Sequence, residues 1–314
     1  MNDQPGFEPP PYPYDRLNAL KPLADHHEGG IVDCSIGTPI DAPSDHIIEA
    51  LANSGLERSY PPSIGTQAFR ENVAAWVLNS FGCKIDPESQ IAAAVGTKEF
   101  VAGLPHWMKL RNPDRDTVLY PAVSYPSYEM GATLAGCRSV AVPVDENWSI
   151  QLDAISEEDR SRALLLWVNT PGNPAGGLDD LDAAAAWGRN HGIPVFSDEC
   201  YCEFTWEGSP RTILSSGTEG VVSVHSLSKR SNLAGLRVGF YAGDSEIVDY
   251  LREVRKHAGF MVPGPAQAAA VAALSDQGHV EQQRETYWNR LNRISKLISN
   301  MGTEAPLPRG GFYL

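Results

Sequence analysis

Lys229 follows a short apolar run (Val221, Val222, Val224) and stands among Ser226, Ser228 and Arg230, with Arg237 further on between Gly235 and Gly239. The apolar run predicts a buried strand whose exit carries these polar groups. A lysine amine beside hydroxyls and a guanidinium suits an aldehyde that bears a phosphate. The amine can form a Schiff base, while Ser226 and Arg237 can hold the phosphate. The plainer account of the same residues is a solvated surface loop, the usual place for a lysine. A short motif of this kind also matches by chance.

Two more apolar runs deliver polar residues in the same way. Ile193 to Phe196 predicts a strand that ends at Asp198 and Tyr201, and Leu164 to Val168 predicts one followed by an Asn/Pro/Gly turn containing Asn173. Ligands of open α/β sheets bind outside the carboxyl ends of the strands, so Asp198 can meet the same pocket as Lys229. A pyridoxal ring needs an anion to keep its ring nitrogen protonated, and Asp198 suits that task. A carboxylate so paired is expected to have a depressed pKa. Taken alone, Asp198 or Glu199 reads as a helix cap, and the turn as a chain reversal.

With Asn173, Asp198 and Lys229 in this order, the chain resembles a pyridoxal-phosphate aminotransferase of the large aspartate-aminotransferase superfamily, fold type I. The resemblance implies pyridoxal 5′-phosphate as cofactor, with Lys229 as both Schiff-base and proton-shuttling residue. Asp198 is the implied partner of the ring nitrogen, and Asn173 and Tyr201 those of the phenolic oxygen. Ser226, Ser228 and Arg237 become phosphate ligands. Gly96-Thr97-Lys98-Glu99 resembles a phosphate loop that opens a helix, where backbone N–H groups and the helix dipole favour an anion. Tyr125 matches an aromatic stacked on the ring, and Tyr60 a tyrosine reaching the phosphate of a neighbouring subunit, which implies a homodimer. Gly37, in Ser35-Ile36-Gly37-Thr38-Pro39, matches a backbone contact to substrate, and Asn173 is counted there too. Taken singly, Tyr125 and Tyr128 read as core aromatics and Tyr60 as a packing residue of a Pro-rich turn.

The elements that must position these residues alternate. Strands are expected at 118–120, 140–142, 164–168, 194–197, 221–225 and 238–242, with helices at 44–54 and 66–81. A long helical region follows from about 244 to 301, interrupted near Pro263-Gly264-Pro265. This pattern predicts an α/β fold: a doubly wound, mostly parallel sheet with helices on both faces. A short strand and turn are expected at 31–40; by resemblance, residues 1–44 form an arm and part of a small domain, 45–264 a large cofactor-binding domain, and 265–314 the start of an incomplete small α/β domain. The chain has 314 residues, 42% hydrophobic and 20% charged, as in a soluble globular protein. A net charge of −14 argues against nucleic-acid or anionic-membrane partners. No run reaches membrane-spanning length and the polar start is no signal peptide. The five cysteines lack framework spacing and Cys200 and Cys202 are too close for a zinc knuckle, so reduced thiols, no metal and a cytoplasmic location are expected.

The strings from His225 to Gly235, Val254-Arg-Lys-His-Ala-Gly259 with Met261-Val-Pro263, and Gly96 to Glu99 resemble N-succinyldiaminopimelate aminotransferases of the diaminopimelate route to lysine. These imply glutamate as donor and 2-oxoglutarate as its product. Lys98 and Arg230 are positional candidates for the extra substrate carboxylates, though a surface position suits each better. A transaminase for aspartate, aromatic or unsuccinylated diaminopimelate substrates, a lyase with the same cofactor, and a non-catalytic sensor module are the alternatives. Members of the family clamp the substrate carboxylate with an arginine downstream of a Gly-Gly-x-Phe-like strand, a bidentate contact that nothing small replaces. This chain stops at Leu314 within that strand, and Arg309 precedes it. A truncated polypeptide is therefore expected to bind the cofactor weakly and transaminate poorly. Steady-state turnover of the purified 314-residue chain at an ordinary aminotransferase rate would contradict this.

Overall fold

The structure, a computed structural model, describes residues 6–314. The chain divides into two compact units between Thr38 and Pro39. In the first, a 3-10 turn over Asp15–Ala19 leads into the one-turn helix α1 (Lys21–Ala24), and Lys21 pairs with Asp33 at 3.2 Å. The strand expected within 31–40 does not form. That stretch has no ladder partner among the described residues, and a strand exists only by pairing its backbone.

The second unit is organised by seven strands: β1 (Ile91–Ala94), β2 (Thr117–Pro121), β3 (Arg138–Val142), β4 (Ala163–Asn169), β5 (Val195–Asp198), β6 (Val221–Ser226) and β7 (Gly239–Gly243). Their order is β1-β7-β6-β5-β4-β2-β3, and only β7 runs against its neighbours. All seven residues of β4 are buried, as a central strand covered on both faces requires. The six expected strands are present. β1 is additional: three alanines carry little strand signal, and pairing with β7 fixes them.

The helices are α2 (Asp45–Ala52), α3 (Gln67–Phe81), α4 (Thr97–Arg111), α5 (Ser127–Leu134), α6 (Glu157–Arg162), α7 (Leu181–His191), α8 (Leu227–Arg230), α9 (Ser245–His257), α10 (Gly264–Ser275) and α11 (Gly278–Asn300). Alternation along the strands separates two cores. On one face Ile91, Leu166, Val195 and Val221 belong to the cluster of Phe69 and Val73 from α3, Ala184 from α7 and Ala269 from α10. On the other, Ala92, Leu165, Phe196 and Val222 join Phe100 and Leu104 from α4, Tyr128 from α5 and Leu251 from α9. The sheet is thus doubly wound. Helix α10 packs on α2 and α3.

Local signals set the helix ends. Thr66 opens α3 by accepting from the Phe69 N–H at 3.2 Å, and Gly82 closes it with φ +71°. Asp180 opens α7 through the Ala183 N–H at 3.0 Å, and Gly192 closes it with φ +61°. Helix α9 brings Arg255, 2% exposed, against Glu99 of α4 at 2.5 Å. Its guanidinium lies 4.8–5.8 Å from the ring centroids of Phe100, Trp107, Tyr241 and Phe260. Removing one partner of such a pair leaves the other charge unpaired near the core. Arg255→Ala is expected to lower stability by about 3 kcal/mol in chemical denaturation; a loss below about 1 kcal/mol would show the pair to be a surface one.

Candidate active site

Strand β5 ends at Asp198, which its register sets level with Asn169 of β4 and Val224 of β6. The residue is 7% exposed; its Oδ2 accepts from the Tyr128 hydroxyl at 2.8 Å and its Oδ1 from the Cys200 N–H at 3.2 Å. Burial raises the Asp198 carboxyl above its ordinary range, against the hydrogen bonds of Cys200 and Tyr128. This is opposite to the depression expected from sequence. That expectation presupposes a cation beside the carboxylate, whereas among protein groups alone desolvation is the larger effect. Neither acid is a helix cap here: Glu199 Oε1 accepts from the Ile213 N–H at 2.8 Å, and Oε2 lies 3.2 Å from His225 Nε2.

Past β5, the buried Tyr201 hydroxyl accepts from Asn173 Nδ2 at 3.2 Å and meets the Tyr313 hydroxyl at 3.3 Å. Asn173 lies in the turn after β4, its own N–H bonded to Asn169 Oδ1 at 2.8 Å. The parallel register of β4 and β5 therefore brings Asn173 and Tyr201 together. Burial, then the neighbouring Tyr313, pushes the Tyr201 phenol well up.

Ser226 ends β6 and accepts from the Ser228 N–H at 3.1 Å, opening the single turn α8 that carries Lys229. Burial lowers the Lys229 pKa; the Cys200 sulfur opposes this and the Arg237 charge adds to it. Its Nζ lies 5.8 Å from the Phe312 ring centroid. Arg237 has a left-handed backbone, φ +51°, and donates to the Ala234 carbonyl at 2.9 Å. Gly96, with φ +73°, precedes α4, and a Cβ there would overlap the Arg237 guanidinium. Only glycine suits both the backbone and that contact. Thr97 Oγ1 accepts from Cys200 Sγ at 3.4 Å, tying the start of α4 to the exit of β5.

Lys98 is exposed on α4, and Tyr125 is half-buried, its ring 6.3 Å from that of Tyr128. Tyr60 is 93% exposed, just after the turn Leu56–Arg58. Gly37 belongs to the first unit, within a turn closed by the Thr38 N–H and the Ile36 carbonyl. Arg230 corrects its reading: it is 3% exposed, pairs with Glu203 at 2.9 Å, donates to the Ala273 carbonyl at 3.0 Å and stacks on Trp76. It is a packing cation, neither a surface residue nor a carboxylate ligand. Arg309 pairs with Glu207 at 2.8 Å. Three site residues escape the sequence reading: Tyr128 through Asp198, Tyr313 through Tyr201, and Phe312 beside Lys229. Tyr128 had a usable signal, since an aromatic near Tyr125 and before an acidic strand exit has a partner to find. Phe312 and Tyr313 depend on long-range docking, the Gly311 N–H bonding the Phe204 carbonyl at 2.9 Å.

These residues fit pyridoxal phosphate. Asp198 is a buried carboxylate whose raised pKa a ring cation would reverse. Asn173 and Tyr201 form a polar pair suited to a phenolic oxygen. Arg237 lies at the side-chain-free start of α4, suited to a phosphate, and Lys229 carries an amine shifted toward its neutral form.

The chain belongs to the class I and II aminotransferases, whose family model matches residues 30–314. The enzymes of this family depend on pyridoxal phosphate, and the sheet is that of fold type I. A probable aminotransferase of Mycobacterium tuberculosis is 40% identical over 97% of this chain and 72% of its own length. The 4-dedimethylamino-4-oxo-anhydrotetracycline transaminase of Streptomyces rimosus is 39% identical over 98% of this chain and 84% of its own length. The LL-diaminopimelate aminotransferase of Aquifex aeolicus is 31% identical over 97% and 81% respectively. Among solved structures, substrate-bound BacF of Bacillus subtilis superposes with a TM-score of 0.89 at 27% identity, covering 97% of this chain and 80% of its own. Among the described residues no helix is long and apolar enough to cross a membrane.

Because the folded pKa of Lys229 lies below 10.5, its amine loses its proton before an exposed lysine does as pH rises. Competitive labelling of the cofactor-free chain with an amine-reactive reagent should give Lys229 a rate midpoint at lower pH than the lysine of a short model peptide. Coincident midpoints would refute the shift.

Proposed function

We propose that this aminotransferase moves an amino group between glutamate/2-oxoglutarate and N-succinyl-2-amino-6-oxopimelate/N-succinyldiaminopimelate. The observation that carries the transaminase chemistry is the convergence of three parallel strand exits bearing Asn173, Asp198 with Tyr201, and Lys229. Bound pyridoxal phosphate supplies the electron sink that acidifies the substrate Cα–H. In this reading Asp198 keeps the ring nitrogen protonated, while Asn173 and Tyr201 hold the phenolic oxygen. Arg237, Ser226, Ser228 and Thr97 orient the phosphate, Tyr125 covers the ring, and Gly37 meets the substrate. Lys229 Nζ, neutral, takes the Cα proton and returns it one position along, general acid–base work worth about 10²- to 10⁴-fold. The exposure of Tyr60 suits a residue offered to the partner of a homodimer.

The diaminopimelate assignment rests on the strings around Lys229 and Arg255, and relatives named LL-diaminopimelate aminotransferase favour unsuccinylated diaminopimelate as the second reading. Glutamate formation from 2-oxoglutarate, followed with N-succinyldiaminopimelate, LL-diaminopimelate, aspartate and phenylalanine, separates them. The succinylated donor should give the highest kcat/KM, and preference for any other would overturn the substrate. Lys229→Ala should lower kcat by about 10³-fold or more and abolish the visible absorbance change on adding donor. Turnover within tenfold of the parent would remove Lys229 from the chemistry.

A further inference from the structure

Away from this site, His46 at the start of α2, Asp276 between α10 and α11, and His279 in the first turn of α11 converge, their ligand-type atoms all within 4.8 Å of one another. Asp276 Oδ2 lies 3.1 Å from His279 Nδ1 and 3.8 Å from His46 Nε2. Two ligands of a tetrahedral zinc with bonds of about 2.0–2.1 Å stand roughly 3.3 Å apart, a spacing these two distances bracket. The distal nitrogen of each ring is already engaged. His46 Nδ1 meets Ser44 Oγ at 2.9 Å, and His279 Nε2 meets Ser231 Oγ at 2.9 Å. Metal-binding histidines are commonly oriented in this way through the nitrogen that does not bind the metal. His46 Nε2, in contrast, is buried and has no hydrogen-bond partner among the described residues; with Nδ1–H donating to Ser44 it would present its lone pair.

We propose that His46, Asp276 and His279 form a binding site for a borderline divalent transition metal, zinc being the best match, with water as fourth ligand. Two imidazoles and one carboxylate are the donor set such ions favour. Arg230, whose positive charge acts on His279, is itself paired with Glu203 at 2.9 Å. Asp276 Oδ1 accepts from the Gly278 N–H at 2.9 Å, which fixes the carboxylate while Oδ2 faces the histidines. The metal ties the start of α2 to the α10–α11 junction. Through Ser231 it also abuts the end of α8, the turn that carries Lys229.

The test uses the complete chain loaded with pyridoxal phosphate, stripped of metal and titrated with Co²⁺ and then Zn²⁺. One Co²⁺ per chain should bind with visible d–d absorption and without a sulfur-to-cobalt charge-transfer band, and Zn²⁺ should displace it. The double variant His46→Gln/His279→Gln should bind at least tenfold more weakly, and thermal stabilisation by Zn²⁺ should vanish with it. Asp276→Asn keeps an oxygen that can accept from the Gly278 N–H while removing the charge, and should also weaken binding at least tenfold. It serves if the double variant does not fold. No stoichiometric uptake by the parent, a thiolate charge-transfer band, or unchanged affinity in a folded variant would overturn the site.

Discussion

The carboxylate of Asp198 constrains everything around it. Taking an ion out of water costs several kcal/mol unless nearby groups replace the lost hydration. The protein supplies two such groups, the Tyr128 hydroxyl and the Cys200 N–H. Each requires an element in a definite place. Tyr128 must come from α5 beneath the strand ends, and Cys200 from the turn just after β5. The register of β4, β5 and β6 then decides what else meets the carboxylate, because three parallel strands in step end at one level. Protein groups still leave its pKa raised, and a cation brought beside it by a ligand would lower it.

Lys229 mirrors this situation. Desolvation moves the acid up and the amine down, both toward neutrality. Opposed shifts of this kind are characteristic of sites that move protons near pH 7. Asp198 ends β5, while the Arg237 guanidinium lies against Gly96 just before α4. A ligand with a cationic ring nitrogen and an anionic phosphate has one favourable orientation in such a field, so electrostatics sets direction before any side chain closes in.

Much of this was legible in sequence because the relevant signals are local. Apolar runs such as Leu164 to Val168 mark strands buried on both faces, and polar residues immediately after them must lie at the carboxyl ends. Asn173, Asp198 and Lys229 each follow that rule. What was hidden depends on contacts between distant segments. Ile-Ala-Ala-Ala becomes β1 only by pairing with β7, and the stretch 31–40 stays irregular because nothing pairs with it. Arg230, adjacent to Lys229 in a motif rich in polar groups, points into packing against Trp76 and Glu203. Adjacency in the chain did not distinguish it from Arg237, because successive residues of a helical turn face different sides.

The arginines show how the site is held. Arg255 pairs with Glu99 and so anchors the first turn of α4, whose Glu99 also accepts from the Val95 N–H at 2.9 Å. Arg230 pairs with Glu203, just past Tyr201, and Arg284 of α11 donates to the Glu203 and Thr205 carbonyls while stacking on Trp206. Each of these cations fastens backbone next to a residue of the candidate site, and each has its hydrogen bonds directed inward. Arg237 differs. Its guanidinium donates to the Ala234 carbonyl and lies over a glycine that offers no side chain. In a chain of net charge −14, a guanidinium with no carboxylate partner among the described residues, beside a helix start, is a favourable place for an anion. The acids paired with Arg255 and Arg230 fix the frame around it without occupying it.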